Sequence, residues 1–407
     1  MTVAAPREAR LFTPAFAALS AAALAFFVAG GIFLPATPRY TVGPLGGDEV
    51  AVGIVIGAFA VSSLLMRPFA GRFADRGGRK IALVVGAVIT VVAAAGHLAA
   101  VSIPLLIVMR LLFGVGEALF FVAALAAATD LAPEHRRGEA ISLISISVYL
   151  GTAIGPLIGE AALAASGFAA VWLVAAAIAA LSVGLSLLAP ETLPPESRTG
   201  AGGGPDIPAP RQSLIHRRGI EPGLLVLCGV WGMGPFFAFI PLLADDLGLG
   251  SSGPYLAAFA IVVVGLRIVG ARLPDQIGAA KLSGTALIVS AAGLLVSGIA
   301  VGGLVPVGAG LLVGTVVFAA GVAFTFPAIM AMAVVGVPPR ERGAVVGTAG
   351  LFVDAAFGIS PAILGLLASA SGYPSTFLVS GGIALVGAVW LLARRPGAAI
   401  PVRVVEP

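Results

Sequence analysis

Apolar residues run almost unbroken for about twenty positions at a time, and polar positions come in short clusters between the runs. Crossing a bilayer takes about 20 predominantly apolar residues in a helix, because every backbone amide must then be bonded within its own segment. Twelve runs meet that requirement: 12–34, 49–68, 81–101, 103–129, 139–160, 168–189, 222–244, 253–271, 282–303, 307–335, 343–368 and 375–393. The first follows Arg7 and Arg10, as a signal peptide would, but its apolar stretch exceeds the roughly 7–15 residues of such a core, so it is read as the first membrane helix. The pattern predicts an all-α integral membrane protein.

One long interruption divides the chain. Residues 190–221 carry Pro190, Pro194, Pro195, a Gly202-Gly203-Gly204 run, Pro205, Pro208, Pro210 and Arg217-Arg218, a composition that resists regular structure. The reading is a six-helix bundle over 1–190, a cytoplasmic linker at 191–221, a second six-helix bundle over 222–396 and a tail at 397–407. The halves also align with each other. Arg67, Arg72, Asp75 and Gly78 match Arg267, Arg272, Asp275 and Gly278 at an offset of 200, and Phe113, Gly116, Pro133, Pro156 and Gly167 match Phe318, Gly321, Pro338, Pro361 and Gly372 at an offset of 205. Such register predicts two pseudo-symmetric halves from an internal duplication.

Composition agrees with the pattern. Only 10% of residues are charged and 59% are hydrophobic, whereas a soluble chain carries about 25% charged residues. Cytoplasmic loops are enriched in Lys and Arg. With the N-terminus inside, Arg7, Arg10, Arg72 to Lys80, Arg136, Arg137, Arg211 to Arg218, Arg272, Lys281, Arg340, Arg342, Arg394 and Arg395 share one side, and Arg39 is the sole basic residue in an outer loop. Both termini are therefore expected in the cytoplasm of a plasma-membrane protein. The basic excess reflects loops facing anionic lipid, not nucleic-acid binding. Cys228 is the lone cysteine, and His97, His135 and His216 lack ligand spacing, so neither a metal nor a cofactor is expected. No phosphate-cradling, nucleophile-elbow or zinc-protease motif is present, which argues against an enzyme.

Ionisable residues deep in apolar runs are where chemistry is expected, since each costs about 2.5–3.5 kcal/mol to insert at a helix centre. Arg110, Glu117 and Asp354 qualify. Arg110 and Glu117 share a helix face two turns apart, roughly 10 Å along the axis. Asp354 falls near the midplane of the eleventh run; its repeat mate is Tyr149, and the mate of Glu117 is Val322. An acid in an apolar cavity can exchange protons in the physiological range. Glu117 or Asp354 is the candidate proton carrier, with Arg110 tuning it. Glu160, at the outer end of its run, is a snorkelling or gate residue.

Short motifs add to this. Gly71, Asp75, Arg76, Gly78, Arg79 and Lys80 form Gly-x-x-x-Asp-Arg-x-Gly-Arg-Lys between runs two and three. Run four carries Arg110, Gly114 and Gly116, and run five carries Gly151-x-x-x-Gly155-Pro156-x-x-Gly159. Small residues such as Gly71, Gly114, Gly151, Gly155 and Gly159 let helix backbones approach closely in lipid, and Pro156 bends its helix. These motifs and the twelve-helix repeat resemble the major facilitator superfamily over nearly the whole chain. The helix-5 motif is similar to that of proton-coupled exporters, although Ser142 and Glu160 stand where that pattern has glycines. The resemblance implies a twelve-helix major facilitator fold working as a monomer. It also implies that Asp75 acts as a cytoplasmic gate latch against the start of helix 11 near Gly343, with Asp275 as its repeat copy.

The same resemblance puts a substrate cavity between the halves, lined by helices 1, 4, 7 and 10. Trp231, Phe26, Phe27, Phe236, Phe324 and Phe326 are the expected aromatic lining, with Tyr149 beside them, and the glycine-rich stretch Gly229 to Phe237 predicts a locally broken helix 7. Trp172, Trp390, Tyr255 and Tyr373 are expected as interfacial anchors. The function read from the chain is secondary active transport of a small-molecule substrate: proton-coupled efflux of small amphipathic drugs, sugars or metabolites by alternating access. Two alternatives stand beside it: a facilitator or proton symporter importing a polar metabolite, and a non-transporting receptor or scaffold on the same fold.

Overall fold

The computed structural model describes residue 11 and residues 13–133, 136–193, 216–270 and 273–393. Arg7, Arg10, His135, Arg272, most of the linker and the tail lie outside the described residues, as do the side chains of Ser142, Asp275 and residues 342–344.

The first half contains α1 (Pro14–Val42), α2 (Glu49–Gly77), α3 (Arg79–Gly96), α4 (Ile103–Leu131) and α5 (Arg137–Leu188). The second contains α6 (Arg217–Val230), α7 (Met233–Asp246), α8 (Gly253–Val269), the short α9 (Leu273–Ile277), α10 (Ala279–Val301), α11 (Val307–Ala333), α12 (Pro339–Ser371) and α13 (Tyr373–Ala393). Thr13 and Asp48 accept the N–H of Phe16 and Ala51 respectively, so α1 and α2 begin at capped ends.

Twelve crossings follow from this order. At about 1.5 Å per residue, the 52 residues of α5 would span far more than the roughly 30 Å of hydrocarbon. The chain instead reverses at Ser166 and Gly167, where Gly167 takes φ of 72°, a conformation open to glycine but strained for other residues. The repeat mate Gly372, φ 76°, makes the same reversal between α12 and α13. One further crossing is assembled from α6 and α7, separated by a turn at Trp231 and Gly232. Pro235 is the cause, since it has no N–H to give the carbonyl four residues back, which is that of Trp231. The predicted break in helix 7 is thus found, and it is mild. α6 already begins at Arg217, so the end of the linker range is helical where irregular chain was expected.

Within the first half α1 lies along α5, and α4 along both α2 and α3; within the second, α10 packs on α11 and α13. Gly155 is part of the α1–α5 seam: a β-carbon there would sit 2.6 Å from the Gly31 carbonyl carbon and 2.7 Å from the Val28 oxygen. Gly159 behaves likewise against Ile32 at 2.6 Å. Gly71 does not, because a side chain there would meet no atom within 4 Å. The sequence expectation of close helix contact at Gly71 is therefore corrected.

The halves meet mainly where α2 lies against α12 and α5 against α8, with further contact of α1 and α2 on α7. At the end of the bundle bearing Arg39, an apolar cluster of Val52 and Ile56 from α2 with Ala238, Phe239 and Leu242 from α7 and Leu364 from α12 closes the molecule. Arg39 of α1 crosses to Asp245 of α7 with Nη2 2.7 Å from Oδ1, and its Nη1 lies 2.8 Å from Glu160 of α5. Glu160 in turn accepts the N–H of Ser252 at 3.0 Å and its hydroxyl. Glu160 thus belongs to an ion cluster that ties both halves at this end.

At the opposite end, bearing Arg79, no such cross-half ion cluster is found among the described residues. Asp75 is 67% exposed and pairs with Arg79 in the next turn of chain; the start of α12 near Gly343, where the latch was expected, lies outside the residues whose side chains are described. Arg79 is held instead inside its own half, with its N–H donated to Glu191 at 2.9 Å and its Nε 3.4 Å from Asp130. Gly78 there takes φ of 111°, and Arg76 is exposed.

Candidate functional site

A cavity of about 430 Å³ lies between the halves, with walls from α1, α2, α4, α5, α6, α7, α8, α11 and α12. Most of its surface is apolar, from Phe27, Leu34, Phe121, Met233, Phe237, Phe259, Phe326 and Phe357 among others. A few polar groups converge in it: Ser63, Arg67, Glu117, Tyr149, Arg267 and Asp354. An apolar pocket with a small set of placed polar groups is the usual form of a small-molecule site.

Helix period explains how α2 and α4 build one wall. Phe59, Ser63 and Arg67 recur every four residues on α2 and so share a face. They meet, in order, Arg110 with Phe113, then Glu117, then Phe121 on α4. Ser63 donates its hydroxyl to Glu117, which is buried. Arg67 lies with Nε 2.8 Å from Oδ2 of Asp354 and donates through Nη2 to Oδ1 at 3.0 Å. That ion pair joins α2 to α12, and hence one half to the other, within the cavity.

On the opposite wall Arg267 of α8 places its guanidinium 4.5 Å from the ring centroid of Tyr149 on α5, and its Nε donates to the carbonyl of Ala323 at 3.1 Å. This contact also crosses the halves. The repeat offsets relate the two walls, since Arg67 is the mate of Arg267 and Tyr149 the mate of Asp354.

Of the sequence candidates, Glu117, Asp354, Tyr149, Phe27 and Phe326 line the cavity. Arg110 does not. It is 4% exposed inside the first half, its guanidinium 5.8, 5.1 and 5.4 Å from the rings of Phe33, Phe59 and Phe113. Cation–π contact replaces the expected position beside the acid, because the α4 face that carries Arg110 is closed by α1 and α2 before the cavity begins.

Four expected lining aromatics also lie elsewhere. Phe26 is core, stacked on Phe120 at 4.0 Å; Phe236 is core against Phe259 and Phe318. Trp231 packs against both the apolar core of the second half and the cluster that joins α2, α7 and α12. Phe324 lines a separate pocket with Gly270 and Gln276. Trp172 is likewise no interfacial anchor: it is 1% exposed and packs on Phe33 at 5.5 Å.

The residues that sequence reasoning missed are Arg67, Arg267 and Ser63. Arg67 was placed at the end of a run closing at 68, but α2 continues to Gly77, about 15 Å further. The usable signal was the exact repeat of an arginine at 67 and 267.

Comparison with known proteins agrees with this architecture. The family model of the Major Facilitator Superfamily matches residues 19–309 and 276–406. An uncharacterised MFS-type transporter of Salmonella typhimurium is 30% identical over 390 residues, covering 93% of this chain and 96% of its own. The uncharacterised MFS-type transporter YhhS of Escherichia coli K12 is 26% identical, covering 91% and 90%. In structure, the xylose transporter XylE from E. coli in a partially occluded inward open conformation superposes with a TM-score of 0.74 at 14% identity, over 95% of this chain and 99% of its own. Sequence match and helix arrangement thus coincide over nearly the full length, and the chain belongs to the Major Facilitator Superfamily: it is a multi-pass membrane transporter, not an enzyme.

Proposed function

We infer that this transporter moves small amphipathic molecules outward by alternating access, coupled to protons through Asp354 and Glu117. The observation that carries the reading is the Arg67–Asp354 ion pair, which bridges the two halves inside the cavity at 2.8 and 3.0 Å. A proton on Asp354 removes one charge of that pair and loosens the bridge, so protonation and the relative position of the halves depend on each other. Glu117 supplies a second acid on the same cavity wall, positioned by Ser63.

The lining supports an amphipathic solute, with aromatic surface for its body and a few polar groups to orient it. The charge bias of the loops supports a cytoplasmic Arg79 end and an external Arg39 end in the plasma membrane. An inward-facing conformation is supported by the closure of the outer end through Arg39, Glu160, Asp245 and Ser252, with Asp75 exposed and paired to Arg79 of its own half at the other end. Export is supported by the helix-5 glycines, whose tight seam with α1 matches the exporter-like motif. One cavity within one chain supports a monomer. Proton symport into the cell is the second reading, and Arg267 favours it, because an anion on this cation and a proton on a nearby acid would stabilise each other and travel together.

Everted vesicles energised to an acidic interior separate these readings. With a panel of lipophilic cations, sugars and small acids, export by antiport predicts solute accumulation inside the vesicles with proton efflux, both lost in Glu117→Gln or Asp354→Asn. Solute depletion with proton co-movement would select symport, and wild-type flux in both variants would remove the acids from the mechanism.

A further inference from the structure

We propose that Arg267 seats an anionic group, a carboxylate in the first instance, on an amphipathic substrate whose apolar body lies against the aromatic cavity wall. This deepens the transport reading above and rests on it.

The two cavity arginines are repeat mates with unlike partners. Arg67 faces the carboxylate of Asp354, which takes its guanidinium at two points. At the symmetry-related place the carboxylate is replaced by Tyr149, so Arg267 meets the face of a ring. Among the described residues no carboxylate pairs with Arg267, and its one hydrogen bond goes from Nε to the Ala323 carbonyl. That bond and the Tyr149 ring fix the plane of the fork, while its terminal nitrogens have no acceptor among the described residues.

Arginine stays charged throughout the physiological range. A charge held in an apolar cavity without a counter-ion is unfavourable, and one that is hydrogen-bonded and paired is not. Among the described residues neither cavity acid touches Arg267: Asp354 is held by Arg67, and Glu117 accepts the Ser63 hydroxyl on the opposite wall. A planar oxyanion matches the guanidinium fork at two points, which is the arrangement the first half already shows with its own aspartate. Phe237, Phe259 and Phe326 line the same cavity and give the rest of such a molecule an apolar wall. The missing mate of Asp354 is, on this account, carried by the substrate.

Calorimetric titration of the full-length protein in phosphatidylcholine nanodiscs tests this with phenylbutyrate, phenylbutyramide and phenylbutylamine, which share one apolar body and differ in charge. Wild type is expected to bind the carboxylate about tenfold more tightly than the amide, and the amine most weakly. The gap should fall to about twofold or less in Arg267→Gln, persist in part in Arg267→Lys, and vanish in Tyr149→Asp, where the protein supplies its own carboxylate. Equal or tighter binding of the amide or amine by wild type overturns the proposal without any variant, as does a lack of measurable carboxylate binding. Persistence of the full gap in folded Arg267→Gln overturns it too. Adding phosphatidylglycerol should leave the carboxylate affinity within about twofold; a loss of about tenfold would assign Arg267 to a lipid headgroup and sink the solute reading. The titration uses one pH and no gradient, so its failure and the failure of proton coupling in Asp354→Asn are separate results.

Discussion

Replacing Arg39 with glutamine should open the gate at the Arg39 end of the bundle. Arg39 is 10% exposed and bridges α1 to Asp245 of α7 at 2.7 Å, while its Nη1 neutralises Glu160 at 2.8 Å. Asp245 is 47% exposed, so that cross-half pair is worth about 0.5–1 kcal/mol after solvent screening. Glu160, 17% exposed, loses its cation but keeps Ser252, which adds about 0.5–1 kcal/mol of strain on the closed state. The combined loss of about 1–2 kcal/mol corresponds to a 5- to 30-fold rise in the population open at the Arg39 end. A single cysteine at Leu34, which lines the cavity, can report it once Cys228 is replaced by alanine. Labelling by a membrane-impermeant maleimide from the Arg39 side should quicken by that factor in Arg39→Gln and by roughly 2- to 5-fold in Asp245→Asn. Unchanged labelling in a folded Arg39→Gln protein would show that the ion cluster does not hold the gate.

Further outcomes follow from the same geometry. Gly155→Val forces atoms against the Gly31 and Val28 backbone and should cost about 1–3 kcal/mol, seen as lower yield and melting temperature in detergent, whereas Gly71→Ala faces open space and should be neutral or stabilising by about 0.5–1 kcal/mol. The Arg67–Asp354 bridge exists only while Asp354 is ionised, so it should weaken as pH falls; spin labels on α2 and α12 should show a broader distance distribution in acid, and Asp354→Asn should show that broad form at every pH. If the wild-type distribution ignores pH while the variant differs, protonation is not what loosens the bridge.

Twelve spans, the helix-7 break and the α1–α5 glycine seam were legible because each depends on chain-local rules: length of apolar runs, proline chemistry and small-residue spacing. The faces of the helices were not. Phe26 and Phe27 are adjacent, yet about 100° of helix rotation sends one into the core on Phe120 and the other into the cavity. Arg67 was missed, and Arg110 was placed beside the cavity, for a related reason. Depth along a helix was read from where the apolar run stopped, and α2 outlasts its apolar run by more than two turns, while burial of Arg110 depends on neighbours from other helices. Glu117 and Asp354 were legible because an acid in the middle of a long span has few reasons to be there other than a cavity.

Central to the account is the claim that Asp354, paired with Arg67 across the halves, carries the coupled proton. Its most direct test is proton movement in proteoliposomes holding a pH-sensitive dye, with wild type and Asp354→Asn compared under the same imposed gradient and the same transported solute. Solute-dependent proton flux in wild type and its loss in the variant, with solute binding retained, is the predicted result. Equal proton flux in the two proteins would contradict the claim and move the proton to another group.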